Sequence, residues 1–216
     1  MTSAPHSPGK LIVLEGVDGS GKSTQARLLT RWLGERGISC VESFEPTSGA
    51  WGMKVREAAS HGERLPLEEE IECLLEDRRA HVRHVIVPAL ERGDWVILDR
   101  YYISMMAYQG AGGYSVEQLR EMNEAFAPPP DLAFWLDVPL DIALARMERR
   151  GRLRDAFEDE AFLSACHAVY SSLDMPWWRR IPSLGDAVQT HLSLVSVLRE
   201  EFGLSSSPSG HFDGGS

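Results

Sequence analysis

Gly16-Val17-Asp18-Gly19-Ser20-Gly21-Lys22-Ser23-Thr24 is the stretch that decides the fold, and it fits the pattern G-x-x-x-x-G-K-[ST] at every fixed position. The apolar run Leu11-Ile12-Val13-Leu14 before it predicts a buried strand, and the segment after it predicts a helix. Glycines let the backbone wrap closely around an anion, and the amides at the helix start point at phosphates. We therefore predict a nucleoside triphosphate site with the Ser23 hydroxyl on Mg²⁺. The alternative is a glycine-rich turn that merely contains a lysine, which the strand before it and the helix after it disfavour.

Size and charge limit the partners of the chain. Its 216 residues suffice for one α/β domain with a core on both faces of a sheet. There are 22 Lys and Arg residues against 32 Asp and Glu residues, a net charge of -10. This balance argues against general binding to nucleic acid or to an anionic membrane. Any anionic ligand must therefore be held by local clusters of positive charge.

Cysteine content and hydropathy indicate the compartment. Cys40, Cys73 and Cys166 are odd in number and lack CxxC spacing, which predicts neither a disulfide framework nor a zinc site. No apolar run approaches the ~18 residues of a membrane helix. The segment from Met1 to Lys10 also lacks the apolar region of a signal peptide. We therefore expect a soluble, cytoplasmic protein.

Short apolar segments alternate with helical segments along the chain. The predicted strands are Lys10 to Glu15, Ile38 to Phe44, Trp95 to Leu98 and Leu132 to Leu136. Such alternation is typical of a parallel sheet covered on both faces by helices. The predicted fold is thus a three-layer α/β/α fold of the P-loop NTPase type. We expect residues 10–204 to form a single domain, and residues 1–9 and 205–216 to be disordered.

A long helix is predicted from Pro66 to Glu91, because its apolar residues recur at helical spacing on one face. Arg78 lies within that face, four residues from both Leu74 and Val82. An inward arginine needs an anion or several acceptors, since leaving it unpaired is costly. We therefore expect Arg78 to contact an anionic ligand. A structural ion pair with a buried carboxylate is the alternative.

Two further groups of positive charge point to a second phosphorylated molecule. Arg100 follows the third strand, at the end where doubly wound sheets bind ligands. A basic segment surrounds Gly151, and its arginines are Arg146, Arg149, Arg150, Arg152 and Arg154. A basic helix end facing its own dipole is the alternative explanation for this segment. Two phosphate sites and a mobile basic segment favour a nucleotide kinase over a hydrolase. A nucleotide-dependent switch or scaffold is the alternative from another class.

Four motifs resemble those of the thymidylate kinase family. They are GVDGSGKSTQ after the first strand, DRYYISMMAYQG, PDLAFWLDVP and the arginine-rich segment before DAFE. The resemblance covers about Lys10 to Tyr170. It implies ATP-dependent phosphorylation of dTMP to dTDP with Mg²⁺, in a homodimer. A related kinase for another deoxynucleoside monophosphate or small phosphorylated acceptor is the alternative.

The same resemblance implies roles for individual residues. Lys22 and Arg100 would be catalytic, Arg146 would lie against the adenine of ATP, and Asp99 would join Ser23 at Mg²⁺. Gly16 to Thr24 would bind the triphosphate. The residues at the acceptor would be Asp18 on the sugar, Ser104 and Gln109 on the base edge, Arg78 and Arg100 holding the monophosphate, and Leu74 and Tyr108.

The P-loop and the arginine-rich lid at about residues 149–157 depart from the family pattern in a related way. In this family a catalytic arginine is carried by the P-loop or by the lid, and Ser20 occupies the P-loop position. The lid would therefore supply the charge. Its frequent Asp-Arg-aromatic-Glu motif is Asp155-Ala156-Phe157-Glu158 here, so the catalytic arginine would be Arg154 or Arg152.

Two further departures concern the base of the acceptor. Leu74 stands where the family usually has a phenylalanine that stacks on thymine. Phe44 stands where the family often has an arginine before Glu-Pro. At Leu74 an aliphatic contact would replace ring stacking. These two positions are therefore compatible with an acceptor nucleotide other than dTMP.

Overall fold

A computed structural model describes residues 8–149 and 160–204 of the chain. Over these residues, strands and helices alternate as the sequence predicts. The elements in order are β1 (Leu11–Glu15), α1 (Lys22–Gly34), β2 (Cys40–Phe44), α2 (Ala50–Ser60), α3 (Leu67–His81), a π-helical turn (Val82–Ile86), α4 (Val87–Glu91), β3 (Trp95–Asp99), α5 (Tyr102–Ala111), α6 (Val116–Glu124), β4 (Leu132–Asp137), α7 (Leu140–Arg149), α8 (Glu160–Ser172), β5 (Trp178–Pro182) and α9 (Ala187–Phe202).

The five strands form one parallel sheet in the order β2-β3-β1-β4-β5. Strand β1 lies at its centre, paired with β3 on one side and β4 on the other. The carboxyl ends of these strands therefore meet at one edge, and the loop after β1 opens there next to the loop after β3. This is the position at which open α/β sheets bind ligands.

Both faces of the sheet are covered, which explains why its central strands are apolar without alternation. Leu11 and Val13 face one core, which includes buried residues of α3, α5, α6 and α8. Ile12 and Leu14 face the other core, which α1 and α9 complete. The predicted parallel sheet with helices on both faces is thus confirmed.

Two elements differ from the sequence-based expectation. No strand was predicted near β5, because its Trp178-Arg179-Arg180 run lacks the apolar pattern of a buried strand. Such a sequence is compatible with its position, since β5 is an edge strand that pairs only with β4. The long helix predicted from Pro66 to Glu91 contains a π-helical turn, in which the Val87 amide bonds to the Val82 carbonyl five residues back. Pro88 follows directly and has no amide hydrogen to continue the regular pattern.

No helix in residues 8–149 or 160–204 has both the length and the apolar character needed to cross a membrane. The predicted lid lies almost entirely outside these residues, as do the predicted disordered residues 205–216 and most of the predicted lead-in.

Candidate active site

The turn between β1 and α1 has the backbone shape that a phosphate cradle requires. Gly16, Gly19 and Gly21 have φ angles of 134°, 80° and 103°, which side-chain-bearing residues rarely adopt. A Cβ atom at Gly19 would lie 2.3 Å from the carbonyl oxygen of Ala143 in α7. Helix α1 then starts with no side-chain cap on its first amides. Uncapped amides and the helix dipole suit this helix start to the binding of an anion.

Lys22 places its ammonium group inside this turn. Nζ donates hydrogen bonds to the carbonyl oxygens of Gly16 and Val17 at 3.0 and 2.9 Å, and lies 3.6 Å from an Asp18 carboxylate oxygen. Burial lowers the pKa of Lys22 below its ordinary value, and the charge of Arg100 acts in the same direction. The lysine is thus a desolvated cation held over the loop, where it can contact phosphate oxygens.

Ser23 and Asp99 bring two oxygen ligands together at the start of α1. The Ser23 hydroxyl donates a short hydrogen bond to Oδ2 of Asp99. Oδ1 of Asp99 is buried and accepts no hydrogen bond from the described residues. Hydroxyl and carboxylate oxygens are the ligands that Mg²⁺ takes beside phosphates. This pair therefore fits the predicted magnesium site.

Arg100 occupies a strained position between β3 and α5. Its φ angle of 71° lies in the left-handed region, which is uncommon for a residue with a side chain. The guanidinium donates to Asp18 at 3.0 Å, to the Tyr108 hydroxyl at 3.1 Å and to the Ser104 hydroxyl at 3.0 Å. The turn therefore directs the cation toward the P-loop rather than into solvent.

Glu15, the last residue of β1, holds the start of α5 against the P-loop. Its buried carboxylate accepts hydrogen bonds from the amides of Tyr101 and Ser104 at 2.8 and 3.1 Å, and from the hydroxyls of Ser104 and Tyr170 at 2.5 and 3.2 Å. Burial raises the pKa of Glu15 above its ordinary value, although these hydrogen bonds and Arg100 act in the opposite direction. Sequence reasoning did not single out this residue.

Arg78 forms a buried ion pair with Glu45, as the alternative interpretation of this residue predicted. Nε donates to a Glu45 carboxylate oxygen at 2.7 Å, and Nη1 donates to the amide oxygen of Asn123 at 2.5 Å. The other Glu45 carboxylate oxygen lies 2.9 Å from Nδ1 of His81. Arg78 nevertheless also lines the cavity described next, so the ion pair and a ligand contact are compatible.

One cavity of about 770 Å³ joins the P-loop to the wall formed by α3 and α5. It brings together most of the predicted site residues. Those in its lining are Asp18, Gly19, Gly21, Lys22, Ser23, Leu74, Arg78, Asp99, Arg100, Ser104, Tyr108 and Gln109. A nucleotide acceptor placed against α3 and α5 would thus face a phosphate donor held by the P-loop.

Arg146 lies beside this cavity and is not part of its lining. It donates to the carbonyl oxygen of Gly19 at 3.4 Å, and to those of Ser183 and Gly185 at 3.0 Å each. It therefore links the P-loop to the segment before α9. The predicted lid arginines, Arg152 and Arg154, lie outside the described residues.

Arg56 of α2 lines the cavity and was missed by sequence reasoning. Its guanidinium lies 4.8 Å from the Phe44 ring centroid, and Nε donates to the Pro46 carbonyl at 2.9 Å. The sequence offered one signal, an arginine directly after the inward-facing Val55 in a helix near Glu-Pro. That signal is weak, because Lys54 and Glu57 make this part of the helix an ordinary charged surface.

A family model described as Thymidylate kinase matches residues 14–183. The chain belongs to the thymidylate kinase family. A relative named Thymidylate kinase from Akkermansia muciniphila is 54% identical over 181 residues, covering 84% of this chain and 87% of its own. Another of that name, from Xanthomonas oryzae pv. oryzae, is 44% identical over 204 residues, covering 93% and 89%. A third, from Xanthomonas campestris pv. campestris, is 44% identical over 196 residues, covering 89% and 86%.

The thymidylate kinase match spans the P-loop, α3, the β3–α5 turn and α7 in one continuous stretch. The whole cavity therefore lies in the part of the chain that carries the likeness. The predicted resemblance to this family is confirmed.

Proposed function

We propose that this thymidylate kinase family member transfers the γ-phosphate of ATP to dTMP in the cavity above the P-loop, which yields dTDP and ADP. Family membership supports the reaction. The observation that supports its location is that one continuous cavity is lined by the P-loop on one side and by Arg78, Arg100 and Gln109 on the other.

The donor side comprises the P-loop, Lys22 and Arg146. The backbone amides from Gly16 to Thr24 and the Lys22 ammonium would hold the triphosphate, while Arg146 would lie against adenine. Support for the latter is its position between Gly19 and the segment at Ser183. Mg²⁺ held by Ser23 and Asp99 would supply positive charge to the oxygens of the phosphates.

The acceptor side comprises the walls formed by α2, α3 and α5. Asp18 would contact the sugar, Arg100 and Arg78 would hold the monophosphate, and Leu74 would lie against the base. Ser104, Tyr108 and Gln109 would line the rest of the base site. We add Arg56 to the phosphate contacts, because it is a cation on the cavity wall near the end of β2.

The chemical step is an in-line attack by a phosphate oxygen of dTMP on the γ-phosphorus. A new P–O bond forms there while the bond to the β,γ-bridging oxygen breaks, and ADP leaves with that oxygen. Such a transition state needs positioning and charge compensation more than covalent catalysis. Lys22 serves one side of the transferred group. We assign the other side to Arg154, with Arg152 as the alternative, since Ser20 leaves the P-loop without an arginine.

A homodimer and a cytoplasmic location belong to the same proposal. A shallow groove on the outer faces of α3 and α6 includes Leu75, Tyr114 and Met122, and supports helix packing between two copies. The free thiols of Cys40, Cys73 and Cys166 suit a reducing compartment. Light scattering at the elution peak should give twice the mass of one chain, and a mass of one chain would contradict the dimer.

An acceptor panel tests the proposed function. The purified chain is given ATP and Mg²⁺ with dTMP, dUMP, dGMP, dCMP or UMP, and kcat/KM is measured for each. We expect dTMP to be the preferred acceptor. A clear preference for another nucleotide would instead support the kinase alternative that Leu74 and Phe44 kept open. ATP binding with no phosphate transfer to any acceptor would support a switch or scaffold.

A further inference from the structure

The side chain of Gln109 is joined to a buried carboxylate behind the cavity wall. Its amide nitrogen Nε2 donates a hydrogen bond to Oε1 of Glu70 at 2.5 Å, across 39 positions of sequence. Glu70 lies in the first turn of α3 and is 1% exposed. The link therefore ties the base side of the cavity on α5 to the start of α3.

Arg64 supplies the charge that balances this carboxylate. Its Nη2 donates to Oε1 of Glu70 at 2.9 Å, and its Nε donates to Oε2 at 3.3 Å. The guanidinium also lies 4.8 Å from the ring centroid of Phe162 in α8. A buried carboxylate is tolerated when it is paired and hydrogen-bonded. Arg64 and Gln109 thus both donate hydrogen bonds to the Glu70 carboxylate.

The chemistry of this contact fixes which way the Gln109 amide points. A carboxylate accepts hydrogen bonds, so the NH₂ end of the amide must face Glu70. The carbonyl oxygen Oε1 is then the free end. It is buried and receives no hydrogen bond from the described residues, although Gln109 lines the cavity. Leaving a buried acceptor unsatisfied is costly, and a donor on a ligand in the cavity would remove that cost.

We infer that Glu70 is a specificity-determining positioning residue, which selects the acceptor base by holding Gln109 with its carbonyl oxygen toward the ligand. The inference rests on the proposed function. Thymine and uracil carry a ring N–H at position 3 that can donate to Oε1. Cytosine carries a lone pair at that position, so two acceptors would face each other. Glu70 thus favours bases with a ring N–H without touching them.

Replacing Glu70 with glutamine removes this constraint at constant size. The new side chain can donate as well as accept, so both orientations of the Gln109 amide find a partner. We expect the ratio of kcat/KM for dTMP to that for dCMP to fall at least about tenfold in E70Q, since sites that need a substrate hydrogen bond discriminate strongly by it. The ratio for dTMP to dUMP should stay within about twofold, because both bases carry the ring N–H.

The control variant is E72Q, which removes the same charge from an exposed position of the same helix. It should keep both ratios. If E70Q folds poorly because Arg64 loses its counter-ion, R64M/E70Q removes both charges and should show the same loss of dTMP over dCMP. Thermal melting of each variant reports folding separately.

The outcomes separate this inference from the proposed function. A wild-type chain that prefers dTMP, with an unchanged dTMP to dCMP ratio in folded E70Q or in R64M/E70Q, would overturn the role of Glu70 alone. Equal decreases in the dTMP to dCMP ratio and the dTMP to dUMP ratio would mean that the substitution weakens base recognition in general. That result would also overturn the role of Glu70. A wild-type chain that does not phosphorylate dTMP would instead overturn the proposed function.

Discussion

Lys22 shows how one side chain depends on the loop around it. Its ammonium is buried, and its two closest partners are the Gly16 and Val17 carbonyl oxygens. Burial lowers its pKa, so the cation is less stable here than in water. Phosphate oxygens would supply the missing negative charge, which is why the position suits a triphosphate.

We expect Lys22→Met to reduce kcat about 10³-fold or more, because it removes a buried cation beside the transferred phosphate. The affinity for dTMP should change little, since Lys22 belongs to the donor side. Steady-state kinetics and calorimetric titration with dTMP measure the two effects. Lys54→Met, which removes an exposed lysine paired with Glu69, is the control. Turnover within tenfold of wild type would contradict the assignment.

Arg78 combines a structural role with a predicted binding role, and one substitution tests both. Arg78→Met leaves Glu45 buried without its guanidinium partner, so the free energy of unfolding should fall by about 3 kcal/mol. The affinity for dTMP should fall as well, because a cation leaves the cavity wall. Urea unfolding and calorimetric titration check these effects.

The control for Arg78 is Arg79→Met, whose side chain is exposed and paired with Glu76. It should preserve the affinity for dTMP. It should lower the free energy of unfolding by less than Arg78→Met does, since it loses only a surface ion pair and the contact of its guanidinium with the Phe126 ring at 4.1 Å. Normal dTMP affinity in a folded Arg78→Met variant would mean that Arg78 is purely structural.

The buried Glu15 carboxyl group should make the free energy of unfolding depend on pH. Burial raises its pKa in the folded chain, so the folded state holds its proton to a higher pH than the unfolded state does. The stability that protonated Glu15 contributes is therefore lost as the pH rises above the pKa of this group in the unfolded chain, about 4.5. We expect the free energy of unfolding of wild type, minus that of Glu15→Gln, to decrease between pH 5 and pH 8. Urea unfolding at both values measures it, and a difference independent of pH would refute the expectation.

At the scale of elements, the turn between β3 and α5 organises the proposed acceptor side. Arg100 has a left-handed backbone, and Glu15 ties the following helix start to the end of β1. The sequence indicated a site here, because Asp99 and Arg100 end a buried strand. The backbone strain was not predictable, since arginine is not a residue type that favours a positive φ.

The proposed lid is the element that we expect to supply the positive charge that the P-loop lacks. Ser20 offers no cation, and we assign that role to Arg154. Arg154→Ala should therefore lower kcat at least ~10²-fold while leaving the KM values for ATP and dTMP within a few-fold. Steady-state kinetics with both substrates varied will measure this. Wild-type turnover would move the role elsewhere, first to Arg152, whose alanine variant is the matched comparison.

At the scale of the whole molecule, the sequence predicted the features that follow from hydrophobic periodicity and from short motifs. The P-loop, β1 and α1 follow from fixed glycines and an apolar run, and the covered sheet follows from strands that lack alternation. Partnerships between distant segments were not predictable in the same way. Glu70 with Gln109, and Glu45 with Arg78, join residues 39 and 33 positions apart, and nothing local marks these pairs.

The most direct test follows the phosphate itself. ATP labelled at its γ-phosphate is mixed with enzyme, Mg²⁺ and dTMP, and the products are separated over time. We expect the label to appear in dTDP in equal amount to the ADP formed, with little label in inorganic phosphate. We expect Lys22→Met to slow the formation of both products about 10³-fold or more. Label that appears in inorganic phosphate, or in no product, while dTDP stays absent would contradict phosphate transfer between two nucleotides in this cavity.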